Sequence, residues 1–139
     1  SMSAFEICFD IGFQHCDPAG IVFFPRWHEL LNQAVERWFA EALDYSFATM
    51  VQRDRRGVPV VRTEVTYRRP AYLGERVRFI LSLAELGQSS IDLVVEVLGA
   101  DDRPRVEFRH KLVFVALGPP TKALSWPAGL REKLAAYRS

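Results

Sequence analysis

Pro25-Arg26-Trp27-His28-Glu29-Leu30-Leu31-Asn32-Gln33-Ala34-Val35-Glu36-Arg37-Trp38-Phe39-Ala40-Glu41-Ala42-Leu43 is the segment around which the rest of the chain has to be arranged. From Trp27, the apolar positions Leu30, Leu31, Ala34, Val35, Trp38, Phe39, Ala42 and Leu43 recur at intervals of three and four. They form one continuous stripe, with Glu29, Gln33, Glu36, Arg37 and Glu41 on the opposite side, which is the pattern of an amphipathic helix. Pro25 opens it, because a missing N–H costs nothing in the first turn. About 17 residues span about 25 Å, enough to cross a whole sheet.

On both sides of this helix the period changes to two. Phe5 to Phe13 alternates Phe5, Ile7, Phe9, Ile11 and Phe13 against Glu6 and Asp10, and reads as a first strand. A turn-rich stretch, His15-Cys16-Asp17-Pro18-Ala19-Gly20, joins it to the apolar step Ile21 to Phe24. After the helix, Ser46 to Arg53 reads as short helical or irregular chain, leading to the charged turn Arg53-Asp54-Arg55-Arg56-Gly57. Four alternating runs follow: Val58 to Arg69, Arg76 to Leu86, Ile91 to Leu98 and Arg105 to Leu117. The links Gly87-Gln88-Ser89-Ser90 and Gly99 to Pro104 are hairpin-like, so the last three strands form an antiparallel meander. Gly118-Pro119-Pro120 stops the final strand, and Pro127 to Tyr137 has the composition of a short surface helix.

One apolar helix stripe laid on one face of a curled antiparallel sheet satisfies both elements, giving an α+β two-layer domain. The sheet's other face and its edges need cover, which pairing with a second copy supplies. The 139 residues are the length of one domain, and we read 1–139 as a single unit with a C-terminal extension over 119–139. Residues 1–3 read as a remnant of tag removal.

Composition narrows the function. Hydrophobic residues make up 49% and charged residues 25%, the balance of an ordered soluble protein. Eighteen basic residues against seventeen acidic ones leave a net charge of +1, without the basic excess that duplex binding requires. No run of about 18 apolar residues predicts a membrane span, and no signal peptide is visible. Cys8 and Cys16 form neither a CxxC pair nor a metal spacing, and read as reduced thiols of a cytoplasmic protein. The histidines His15, His28 and His110 are too scattered to predict a metal site.

There is no GxSxG elbow, P-loop, GxGxxG or HExxH. What remains is Asp17, in Gln14-His15-Cys16-Asp17-Pro18-Ala19-Gly20-Ile21-Val22-Phe23-Phe24-Pro25. An acidic residue before proline is commonly a turn or cap aspartate. Its apolar flanks draw the loop inward, however, and a carboxylate beside a helix N-terminus has a chemical use. The amides there stabilise developing negative charge, while the carboxylate attacks a carbonyl or deprotonates water.

Cys16-Asp17-Pro18-Ala19-Gly20-Ile21-Val22, followed by two aromatics, Pro25 and His28, resembles the active-site segment of the 4-hydroxybenzoyl-CoA thioesterases, small enzymes of the hotdog superfamily. The resemblance continues through Gly57-Val58-Pro59-Val60-Val61 and the strand order to about Phe114. It implies a hotdog fold, a long central helix wrapped by a curved antiparallel β-sheet, in homodimers that join two sheets edge to edge or homotetramers built as dimers of dimers. It implies hydrolysis of an acyl-CoA thioester, with coenzyme A as part of the substrate and no other cofactor. Carried onto this chain, Asp17 is the carboxylate nucleophile or general base, and the Phe24 amide is the oxyanion donor, since Pro25 cannot donate. Gly20 lets backbone approach the substrate, and Pro59, Val60 and Val61 line the acyl pocket from the facing region.

His15 holds Asp17 or a water, or else packs the loop. His28 makes a structural hydrogen bond or assists catalysis, and His110 is a core histidine. The resemblance also leads us to expect a basic cluster for the coenzyme's phosphates after the Arg76–Leu86 strand. Gly87-Gln88-Ser89-Ser90 carries no charge there, so Arg62, Arg68, Arg69, Arg103 and Arg105 become the candidates. Phe23, Phe24 and Trp27 supply either an aromatic acyl slot or core packing; aromatic acyl groups such as 4-hydroxybenzoyl or benzoyl are favoured, with short aliphatic chains also admitted. An acyl-carrier-protein thioesterase and a non-catalytic acyl-CoA-binding module are the rival readings.

Overall fold

In a computed structural model, which describes residues 4–139, the period-two runs become strands and the apolar stripe becomes a helix. The expected tag remnant at residues 1–3 lies outside the described residues. In chain order the elements are β1 (Phe5–Asp10), α1 (Arg26–Glu41), β2 (Arg56–Gly57), β3 (Val60–Tyr67), β4 (Arg76–Leu86), β5 (Ser90–Leu98), β6 (Pro104–Val113), β7 (Val115–Ala116), β8 (Lys122–Ala123) and α2 (Ala128–Ala135). A π-helical turn, Thr49–Arg53, precedes β2. The main sheet has the order β1-β4-β5-β6-β3, antiparallel throughout, and β2, β7 and β8 make a small second sheet. The main sheet is curved and does not close into a barrel. Register shifts leave one extra residue in β3 (Val61), in β4 (Ala84) and in β6 (Arg105), and such bulges sharpen local twist.

The inner faces of the three central strands are the core. Val77, Phe79, Leu81 and Leu83 of β4, Leu93, Val95 and Val97 of β5, and Val106, Phe108 and Leu112 of β6 are all buried. Against them α1 buries Trp27, Leu30, Leu31, Ala34, Val35, Trp38 and Phe39, the stripe read from the sequence. Trp27 sits 6.3 Å from the Phe79 ring, so it is a core aromatic and does not line an acyl slot. Cys8 and Cys16 are both free thiols. Among the described residues no helix is long and apolar enough to cross a membrane.

Four details depart from the sequence reading. The first strand ends at Asp10, because the Gly12 amide turns to His15 Nδ1 and Phe13–His15 closes a 3-10 turn, leaving Phe13 83% exposed. The last strand stops at Val113: consecutive Phe114 and Val115 are both buried, and alternation fails where the chain moves into the second sheet. The tail does more than decorate the surface. Trp126 stacks on Phe114, Leu130 and Leu134 join the core, and Tyr137–Ser139 bonds both sides of Leu83 where β1 no longer covers β4. Finally, Arg105 is buried, against the expectation of a surface phosphate ligand. Its guanidinium bonds Glu75 at 2.7 Å and Asp101 at 3.0 Å, over Gly99, where any Cβ would collide with it.

His110 is the other buried polar side chain, 4% exposed on the inner face of β6. Thr63 Oγ1 lies 2.8 Å from its Nδ1, and its Nε2 has no partner among the described residues. Burial, and then the nearby His28, push its pKa down to about 4. The unfolded chain therefore takes a proton near pH 6.5 that the folded chain refuses until about pH 4. The contribution is intact above pH 6.5 and drains away as pH falls towards 4, by about 3 kcal/mol at 1.36 kcal/mol per unit. We predict that urea unfolding of a His110→Leu variant shows a shallower loss of stability than the parent between pH 7 and 4. Equal slopes over that window would remove His110 as an acid-sensitive group.

Candidate active site

Asp17 opens a tight hairpin. The Gly20 amide donates to the Asp17 carbonyl at 3.0 Å, and the Asp17 amide donates to the Ile21 carbonyl at 3.0 Å. Cys16 bridges Val22, and the Phe23 amide reaches the His15 carbonyl at 2.9 Å. Each residue suits its place in this three-residue loop: Pro18 presets the first corner, and Gly20 takes φ +79°, the left-handed position such a loop ends on. The Ala19 amide donates to Asp17 Oδ1 at 2.8 Å, so the carboxylate is half-buried and oriented, with one oxygen engaged. Asp17 is thus a turn aspartate by geometry, and that is how it is aimed.

The hairpin is braced from behind. Ile21 bridges Tyr72, the Val22 amide donates to Ala71 at 2.9 Å, and the Leu73 amide donates to Gly20 at 2.9 Å. Its second arm then runs through Phe23 and Phe24 into α1. Pro25 caps the helix without a side-chain bond, and the amides of Arg26, Trp27 and His28 fold back onto Phe23, Phe24 and Pro25. The Phe24 amide donates to nothing among the described residues. One chain segment of eight residues therefore carries both an oriented carboxylate and an unengaged amide at the positive end of the main helix.

Aromatic side chains surround this end. Phe24 is 59% exposed, edge-on to Phe23 at 5.6 Å and to Tyr67 at 6.2 Å. Tyr67, read from the sequence only as one more alternating strand residue, stands in the open because β3 is an edge strand. His15 braces the turn before Asp17: its Nδ1 accepts the Gly12 amide at 2.9 Å, and burial, outweighing Glu29, lowers its pKa. His28 is exposed with its ring edge-on to Phe108 at 5.9 Å.

Within the single chain, Pro59, Val60 and Val61 do not join this site. Val60 begins β3 and Tyr67 ends it, so the two lie roughly 20 Å apart at about 3.3 Å per residue. All three are exposed, Val61 by 56%. The surface arginines are dispersed: Arg62 pairs with Asp92 at 3.8 Å, Arg68 with Glu107 at 2.8 Å, and Arg69 reaches the Pro104 carbonyl at 3.4 Å. Arg103 is exposed, its amide on Asp101. At the uncharged Gly87–Ser90 loop, a cation that the strand pattern gave no reason to place there, Arg131 of α2, donates to the Gly87 carbonyl at 2.9 Å.

A curved antiparallel sheet around one long helix, with an acidic hairpin delivered to that helix's amino end, defines a hotdog-fold protein. The chain belongs to the thioesterase-like superfamily, whose family model matches residues 11–134, and it is a thioester hydrolase. Solved structures share the architecture. A Synechocystis 1,4-dihydroxy-2-naphthoyl-CoA thioesterase is 18% identical with a TM-score of 0.85, covering 95% of this chain and 96% of its own. The 4-hydroxybenzoyl-CoA thioesterase of Pseudomonas sp. strain CBS-3 is 22% identical with a TM-score of 0.86, covering 94% and 98%. A Staphylococcus aureus protein solved in complex with CoA is 11% identical with a TM-score of 0.87, covering 96% and 83%. At these identities the likeness is one of fold. No curated protein matches the sequence.

The hairpin makes a local prediction. A Cβ at Gly20 meets nothing within 4 Å, so Gly20→Ala tests backbone strain alone. It should lower the unfolding free energy by about 1–2 kcal/mol in denaturant titration, and Gly20→Asn, which tolerates this conformation, by clearly less.

Proposed function

We propose that the chain hydrolyses acyl-coenzyme A thioesters, with Asp17 as the attacking carboxylate and the Phe24 amide as the oxyanion donor. The observation that carries this reading is the pairing of the Asp17 carboxylate, fixed by the Ala19 amide, with the unengaged Phe24 amide on the same hairpin-to-helix segment. The thioester carbonyl oxygen takes the Phe24 N–H, which strengthens as negative charge develops on that oxygen. The free oxygen of Asp17 adds to the carbonyl carbon, and collapse expels the coenzyme thiolate, leaving a mixed anhydride. Water then cleaves the anhydride, releasing the acid and restoring the carboxylate. In the alternative step, Asp17 removes a proton from water, which attacks directly.

An aromatic acyl group is the favoured substrate class. The solved structures it resembles include enzymes named for 4-hydroxybenzoyl and 1,4-dihydroxy-2-naphthoyl thioesters, and Phe23, Phe24 and Tyr67 present ring edges beside the hairpin. The acyl pocket is completed by a second copy. Two β3 edges paired antiparallel bring Pro59–Val61 of one chain to the Tyr67 end of the other, which cancels the roughly 20 Å separation within a chain.

Asp17→Asn is the direct test, because an asparagine oxygen still accepts the Ala19 amide and keeps the turn. The variant should fold with parental stability and lose at least ~100-fold in kcat on benzoyl-CoA, followed by thiol release; parental turnover would end the assignment. Mixing two inactive variants tests the composite pocket. Asp17→Asn and Val61→Arg subunits, unfolded and reassembled together, should regain part of the parental rate, since each hybrid dimer holds one intact site. No recovery in hybrids shown to form would place the pocket within one chain.

A further inference from the structure

Arg105 is the extra residue of the β6 bulge, and its side chain leaves the alternating row to enter the protein. The guanidinium, 8% exposed, lies 2.7 Å from the Glu75 carboxylate, 10% exposed. Glu75 divides its oxygens between partners. Oε2 accepts Arg105 Nη2 and, at 3.1 Å, the Ala100 amide, while Oε1 accepts the Tyr72 amide at 3.0 Å. On its other arm, Arg105 Nη1 donates to the Asp101 carboxylate and to the Arg103 carbonyl, each at 3.0 Å. Gly99 leaves the room for this arrangement: a Cβ there would strike both the guanidinium and the Glu75 carboxylate.

Residues 68–75 link β3 to β4, and Arg105 holds both ends of that link. Its carbonyl accepts the amides of Arg68 at 2.8 Å and Arg69 at 3.2 Å, and its guanidinium holds Glu75. Between these ends, Ala71, Tyr72 and Leu73 make the bonds that brace the Asp17 hairpin from behind. Bonds inside the hairpin fix its shape, and the loop fixes where it stands. The Phe24 amide is placed differently, by the buried stripe of α1. The spacing between carboxylate and amide is therefore set from two sides. The helix acts through apolar packing, and the loop through a chain of directional bonds that starts at Arg105. Reacting groups are sensitive to such spacing, since a displacement of about 1 Å can cost about 100-fold in rate.

We propose that Arg105 is a positioning residue for thioester hydrolysis, acting through Glu75 and the Tyr72 amide on the place of the Asp17 carboxylate. That role presupposes Asp17 as the attacking group. Replacing the side chain leaves the Arg105 carbonyl on Arg68 and Arg69, so Tyr67 keeps its place beside Phe24 and only the hairpin end of the loop is released.

Arg105→Met keeps the length of the side chain and removes its charge and donors. On benzoyl-CoA its kcat should fall at least ~10-fold, with KM near the parental value. Arg105→Lys, which still reaches Glu75, should recover most of that loss. Gly99→Ala, which displaces the guanidinium with both charges kept, should show the same defect in kcat. Arg105→Met combined with Glu75→Met removes the buried pair altogether, a change that is often neutral in stability. This double variant should unfold near the parental denaturant midpoint and still turn over slowly, so it tests the role even where the single replacement misfolds. Parental kcat in the folded variants, or a rate that returns with stability in the double variant, would overturn the role. Asp17→Asn separates the two failures: parental turnover there ends the functional reading, whereas a dead Asp17→Asn beside a fully active Arg105→Met ends only the positioning. Amide exchange decides the mechanical link without any substrate. In Arg105→Met the Val22 and Leu73 amides, which join hairpin and loop, should exchange at least ~10-fold faster while those of β4 and β5 keep parental rates. Unchanged exchange at these two amides sinks the link.

Discussion

Burial of one helix stripe against three strands is the constraint on which everything else in this molecule hangs. A helix of 16 residues is marginal alone in water. It persists because Trp27, Leu30, Leu31, Val35, Trp38 and Phe39 each lose their water to the inner faces of β4, β5 and β6, at about 1.5–3 kcal/mol for a large apolar side chain. Phe79 and Phe108, stacked 6.5 Å apart across the sheet, form the floor under its first turns. Because the stripe admits only one rotation and one depth, the amino end of α1 is fixed in space, and with it the place where the Asp17 hairpin must enter.

This hierarchy explains what was readable in advance. Elements whose pattern is dictated by burial on one side, α1, β4 and β5, were legible almost to the residue, since an error of one position would turn every core side chain outward, while β6 was legible at its start and overrun by four residues at its end. The turn at Asp17 was legible from local chemistry, with Pro and Gly at the positions such a loop demands. Illegible were the features set by what lies across space. Arg105 interrupts an alternating surface row, and only the space over Gly99 beside Glu75 makes a buried cation tolerable there. His15 has the same letter whether it serves a carboxylate or a turn; a backbone amide three residues earlier claims it. The distance from Pro59 to the hairpin is a property of sheet order, which strand patterns alone leave open.

The candidate site is correspondingly divided. Its chemical half is local, eight consecutive residues from Asp17 to Phe24, and is held by backbone bonds that any sequence with the right turn residues could make. In the proposed function its recognition half lies on β3, at the far end of that strand from the hairpin, and depends on a second copy. This explains why the candidate carboxylate and amide are legible along the chain and the substrate is not.

The buried Arg105–Glu75 pair has a consequence beyond its own strength. The Glu75 carbonyl accepts the Ile11 amide, and the adjacent residues Ala71 to Leu73 carry the hairpin's outer bonds, so β6 is tied through one guanidinium to the loop that bears Asp17. Being shielded from solvent, that tie responds little to ionic strength. On the other side of the sheet, β3 is held to β6 by its ladder and by Thr63 against His110, and leaves Val60 and Val61 exposed. Under the proposed function, substitutions at those exposed positions reshape what the molecule accepts while the Asp17 carboxylate stays where it is, a separation under which a lineage of such proteins can exchange one acyl group for another without first losing the reaction.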